Sequence, residues 1–135
     1  MPFVTLAVLA ALAIVFFGLV VWKLHSRRLT PAARGRVLGA WAAAQSHADV
    51  VRRIIEADKA LDLALRLAGY SGSLGEKLKS AGARFSDLDA VWSAHKLRNR
   101  LAHEAHATVD AREADAAMRA LKRGIEDLMG FRIDE

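Results

Sequence analysis

SDLDAVWSAHKLRNRLAHE, residues 86–104, decides the fold. Leu88, Val91, Trp92, His95, Arg98, Asn99 and Ala102 recur at three-and-four spacing, the stripe of an amphipathic helix, and Ser86 stands before it as a cap. At 100° per residue His95, Asn99 and His103 drift along one edge, with Arg98 beside Asn99 on the apolar stripe. Polar groups thus interrupt a face that should be buried. A buried guanidinium needs a partner, and the expected ones are Glu56, Asp58 and Asp62 on an upstream helix.

The flanking sequence is helical too. Thr30-Pro31 offers a cap and a first-turn proline for a helix to about Ala44. Ser46 and Asp49 open a second, carrying Val50, Val51, Ile54, Ile55, Leu61, Leu65 and Ala68 until Gly69 stops it. Ser73 with Glu76 forms S-x-x-E and starts a short helix that buries Leu74 and Leu78, and Gly82 breaks the chain again. Downstream, Asp110 and Glu113 cap a last helix whose inner face is Ala114, Ala117, Met118, Leu121, Ile125 and Leu128, closed by Gly130. Trp41 and Trp92 read as core aromatics, Arg119 to Asp127 as a solvated face, and Arg132 to Glu135 as a frayed tail. Nothing alternates with the period of a strand.

Before all this stands an uncharged run of 20 residues, Phe3 to Trp22. At 1.5 Å per residue it spans about 30 Å, the thickness of a hydrocarbon core. Thirteen of its residues are Leu, Ile, Val or Phe, together favouring insertion by about 5 kcal/mol. A cleaved leader has a basic start, a shorter apolar core and a small-x-small site; here Lys-Leu-His-Ser-Arg-Arg follows the run instead, so it reads as a retained anchor. With positive charge only on its C-terminal flank, the positive-inside rule puts the N-terminus outside and the rest in the cytoplasm.

Charge and composition narrow the function classes. The net charge of +5 resides in Lys23, Arg27, Arg28, Arg34 and Arg36, all before the first acidic residue, Asp49; the remainder of the chain is neutral. That places the excess beside the membrane, where it signals topology and can meet anionic lipid, rather than as a basic stripe on the domain. The absence of cysteine excludes disulfides and thiolate chemistry. His103-Glu104-Ala105-His106 lacks the spacing of a zinc site, and Gly69, Gly72 and Gly75 do not form a phosphate loop, so neither a metal nor a small-molecule cofactor is expected.

Arg98-Asn99-x-x-x-His103 resembles the R-x(4–6)-H motif of HEPN domains, with a polar residue directly after the arginine and the motif near a helix end. An acidic, apolar helix precedes it and a capped amphipathic helix follows, as in that α-helical bundle, so the resemblance covers roughly residues 37–130. It implies an all-α fold: a single N-terminal transmembrane helix, then an antiparallel HEPN-like bundle of four to five helices. In ribonucleases of that family two protomers pair so that both motifs face one metal-free cleft. Carried over, His103 would handle a proton at the ribose, Arg98 the charge growing on the phosphate, and Asn99 would orient them. The other meaning of the same residues is an Arg–carboxylate network that pins two helices.

The expected organisation is an anchor over residues 1–22, a basic juxtamembrane linker and start of the first soluble helix over 23–36, and a cytoplasmic domain over 37–135. A single-pass protein of the cell's inner membrane is expected, acting as an interaction or assembly module with an unidentified partner, and homodimeric. The alternative is a metal-independent endoribonuclease, a toxin or defence effector acting on RNA through Arg98, Asn99 and His103.

Overall fold

A computed structural model describes residues 2–133. Among them the chain is all-helical, without a strand: α1 Pro2–Ser26, α2 Pro31–Gln45, α3 Val50–Leu67, α4 Leu74–Ala81, a single 3-10 turn Gly82–Arg84, α5 Leu88–His103 and α6 Ala111–Met129.

The starts of these helices follow their caps. Thr30 accepts from the Ala33 amide with Pro31 at the first helical position, and Asp49 accepts from the Val51 and Arg52 amides. Ser73 and Glu76 bond reciprocally as a full capping box, and the Ser73 backbone N–H, with its hydroxyl, holds the Glu76 carboxyl below its ordinary value. Gly130 ends α6 in the left-handed region, at φ 77°, where a Cβ would be strained. Two caps differ from expectation: Ser46 closes α2, donating its hydroxyl to the Ala43 carbonyl, and leaves the start of α3 to Asp49. Asp87, not Ser86, caps α5 by accepting from the Ala90 amide; Ser86 instead donates its N–H and hydroxyl to Asp127 Oδ2, fastening the start of α5 to the end of α6.

α3 is the centre of the bundle, packing against α2, α4, α5 and α6, while α5 also packs on α6. Its buried stripe of Ile54, Ala57, Leu61, Ala64 and Leu65 meets Val37 and Trp41 from α2, and Leu121, Ile125 and Leu128 from α6. The buried stripe of α5 is Val91, Ala94, Leu97 and Leu101. This is turned from the expected one: Trp92, His95, Arg98 and Asn99 lie at its half-buried border, and Ala102 is exposed. Leu74 is likewise only half-buried, whereas Leu78 is fully enclosed. Within the stretch read as a solvated face, Arg119 and Arg123 are exposed but Leu121, Gly124, Ile125 and Glu126 are buried.

Gly124 marks the closest approach of α6 to its neighbours. A Cβ there would stand 3.2 Å from Val91 Cγ2 and 3.3 Å from Phe85 Cε1. Gly124→Val is therefore expected to cost about 2 kcal/mol by overpacking, read as a lowered midpoint in thermal unfolding of the full chain.

α1 contrasts with the rest. Its stretch Phe3–Lys23 is long and apolar enough to cross a membrane, and none of it is buried in the protein. The helix runs past Trp22 to Ser26, and the connection to α2 is part of the globule rather than a free tether. Leu29 is buried in the core, Arg84 donates to the Arg27 carbonyl at 2.8 Å, and the Arg27 guanidinium lies 4.2 Å over the Tyr70 ring. At the other terminus Glu126 accepts from the Ile133 amide and sits 3.8 Å from Arg132, so the expected tail is tied down through Ile133; Asp134 and Glu135 lie outside the described residues.

Candidate functional site

α3 and α5 carry the polar cluster. Asp58 falls between Ile54 and Leu61 on the α3 stripe, and helical spacing therefore drives its carboxylate into the core with only 3% of the side chain exposed. Facing it across the helix pair are His95 and Arg98, at the border of the α5 stripe, 12% and 24% exposed.

The contacts close into a ring. His95 Nδ1–H donates to Asp58, 3.1 Å from Oδ1 and 3.3 Å from Oδ2. Arg98 Nε lies 3.3 Å from Asp58 Oδ2, but its N–H is not aimed at that oxygen, so this is a charge contact rather than a directed hydrogen bond. Arg98 Nη1 donates to Asn99 Oδ1 at 2.9 Å, and Asn99 Nδ2 donates to His95 Nε2 at 3.2 Å. The ring assigns each atom a role. Asn99 accepts from arginine with its oxygen, its amide nitrogen must then give to the imidazole, and His95 carries its proton on Nδ1. One carboxylate and one guanidinium cancel, so the knot between α3 and α5 carries no net charge, while the buried Arg98 Nε–H is left without a hydrogen-bond acceptor.

The other expected residues stand apart from it. Glu56 pairs with Lys59 at 2.8 Å on the outer side of α3, and that hydrogen bond holds its carboxyl below the ordinary value. Asp62 pairs with Lys77 Nζ at 2.6 Å and with Arg66 at 3.2 Å. His103 is the last residue of α5, exposed and without a hydrogen bond or ion pair among the described residues. In helical projection it is about 140° round from Arg98 and about 8 Å further along the axis. Arg100, inside the motif, holds the following loop by donating to the Thr108 carbonyl and to Glu113 at 2.6 Å.

His95 and Lys77 were legible only as polar interruptions of apolar stripes. His95 follows Val91 by four positions, and Lys77 stands among Leu74, Leu78 and Ala81 on α4, where it is 3% exposed. That placement is the signal that a polar side chain will be buried and must find a partner.

Of the basic flank, Arg27 stacks on Tyr70 and donates to the Gly69 carbonyl, Arg34 lies 5.4 Å from the Phe131 ring, and Arg28 and Arg36 are exposed. Lys23 is exposed near the end of α1, Arg27 and Arg28 lie in the connection that follows, and Arg34 and Arg36 are on α2, so none is on α3 or α5. No group of three or more His, Asp or Glu side chains among the described residues is placed to hold a metal ion. No protein-family model, curated protein or solved structure matches this chain, so the meaning of the cluster rests on its own geometry.

Proposed function

We infer that the chain is a membrane-anchored, HEPN-like helical domain that works as an interaction or assembly module. α1 is the single span of the inner membrane, with the N-terminus outside and the bundle in the cytoplasm, in keeping with the one-sided basic flank. The supporting observation is that Arg98 is neutralised inside its own chain by the buried Asp58. A guanidinium already answered by a carboxylate offers little charge to a transferring phosphate, and its geometry serves to fix α5 against α3. The resemblance implies that two protomers pair along the α5 edge.

One observation favours the alternative, a metal-independent endoribonuclease: His103 is exposed and unengaged, as a proton-transferring group must be. The chain lacks cysteine, so a single one can be introduced without background. The full chain carrying His103→Cys, in isolated membranes treated with a mild thiol oxidant, is expected to form disulfide-linked dimers, and expression of the wild-type chain is expected to leave cellular RNA intact. Fragmentation of RNA by the wild-type chain that disappears in His103→Ala would replace the assembly reading with the nuclease one.

A further inference from the structure

The membrane-proximal end of the domain holds a cleft of about 310 Å³ lined by Arg28, Arg34, Arg84, Asp127 and the last residues of α6. We propose that this cleft binds phosphate, and that its occupant is the headgroup phosphate of an anionic phospholipid. The lipid source rests on the reading of α1 as a membrane span; the cleft itself does not.

Its charge is uncompensated. Among the described residues neither Arg28, Arg34 nor Arg84 forms an ion pair, although Arg66, Arg98, Arg100 and Arg132 all do. The one carboxylate in the wall, Asp127, has its Oδ2 taken by the Ser86 amide and hydroxyl. Three guanidinium groups therefore share the cleft with one carboxylate, which keeps its charge, and a net excess of positive charge remains.

The arginines are also held in place. Arg84 donates to the Arg27 and Leu128 carbonyls at 2.8 and 2.9 Å, which fixes its plane and leaves three of its five N–H donors. Carbonyls satisfy hydrogen bonds but carry no formal charge. Arg34 is held against the Phe131 ring, and its Nε is buried with no acceptor, a donor that costs free energy until something accepts from it. Arginines near a helix C-terminus can simply answer its last carbonyls; here only Arg84 does, and Arg28 and Arg34 bond none. A phosphate oxygen would complete what both lack.

Depth in the membrane selects the source. α1 continues four residues past Trp22, about 6 Å along its axis, with Arg28 two residues further on in the connection to α2, and each headgroup layer is some 5–8 Å thick outside the hydrocarbon. Arg28 therefore falls at the outer edge of the headgroup layer, within reach of lipid phosphates for a long side chain. This differs from a diffuse basic flank: Arg27 is committed to Tyr70 and Gly69, and Arg36, though just as charged, is not in the cleft wall.

The test uses the full chain in phosphatidylcholine nanodiscs containing a minor fraction of phosphatidylglycerol, with the lipids retained after mild extraction counted by native mass spectrometry. Insertion into discs of phosphatidylcholine alone is checked first, so that failure of the membrane reading is seen separately from failure of the cleft. Arg34→Gln is expected to lower phosphatidylglycerol retention about tenfold, the size of a lost charge-assisted hydrogen bond. Arg36→Gln, the charge-matched control, should change it by less than about twofold, as expected for a screened surface charge. Arg28→Gln, at an exposed position, should reproduce the loss with the helix content unchanged, which covers the case in which Arg34→Gln disturbs Phe131. Equal losses in Arg34→Gln, Arg28→Gln and Arg36→Gln would overturn the cleft in favour of non-specific attraction. Inorganic phosphate added to phosphatidylcholine discs is the second arm. Thermal stabilisation by it as large as that given by phosphatidylglycerol, and lost in Arg34→Gln, would overturn the lipid as occupant.

Discussion

Asp58→Ala is expected to destabilise the domain by about 3 kcal/mol, the low end of what removing one partner of a buried ion pair costs. The low end applies because Arg98 is 24% exposed and can turn to water, while His95, 12% exposed, has less freedom to do so. For a domain of this size the midpoint of thermal unfolding should fall by roughly 12 to 24 °C, measured on the full chain by the loss of helical circular dichroism above that of α1. The loss has three parts: the His95 Nδ1–H is left without an acceptor, Arg98 is left uncompensated, and the Asn99 bridge between them loses its anchor. Asp58→Asn should retain part of the stability, since its oxygen can still accept from His95, and should unfold between alanine and wild type.

The second large effect is expected at Arg84. Its guanidinium joins the Arg27 carbonyl, before α2, to the Leu128 carbonyl, at the end of α6, a span of 57 residues in one direction and 44 in the other. Hydrogen bonds to charged groups contribute about 1.5–3 kcal/mol each, and the half-buried position puts the pair at a combined loss of about 2–3 kcal/mol in Arg84→Ala. The more telling result is local. Without this staple, among the described residues Leu29 and Arg27 on Gly69 and Tyr70 are left to hold the connection between α1 and α2, and trypsin should cleave after Arg27 or Arg28 several-fold faster than in the wild type. An unchanged digestion rate would mean that the connection is held by something other than Arg84.

Much of this was readable from the sequence because the signals are local. The caps at Thr30, Asp49, Ser73 and Asp110, and the stop at Gly130, set helix ends through bonds spanning two to four residues, and such bonds do not depend on the rest of the fold. The stripe of α5 was placed about one residue off because Trp92 and His95 look as apolar-facing as Ala94 and Leu97, and only the position of α3 decides which of them is enclosed. Among the three carboxylates considered for Arg98, spacing alone does not choose. Asp58 lies over the α5 face, while Glu56 and Asp62 turn to Lys59 and Lys77, and Lys77 comes from α4, whose place against α3 no periodicity encodes. Arg84 was silent for the same reason: both of its acceptors are backbone carbonyls, and any residue at 27 or 128 would offer one.

The anchor and the bundle also bear on each other. Because Leu29 is in the core and Arg27 is bound to Tyr70, the apolar helix α1 joins the domain without a slack tether. On the proposed membrane reading, that would fix which face of the bundle meets the lipid surface, as the proposed assembly role requires if copies are to meet in one orientation.

The coupling energy between Asp58 and Arg98, from a double-mutant cycle on thermal or denaturant unfolding of the full chain, tests the account most directly. With the guanidinium answered inside its own protomer, Asp58→Ala and Arg98→Ala should be strongly non-additive, with a coupling of about 2 kcal/mol, within the range for residues sharing one network. Additive losses, with a coupling below about 0.5 kcal/mol as for an exposed pair, would contradict it and return Arg98 to the role of a free cation.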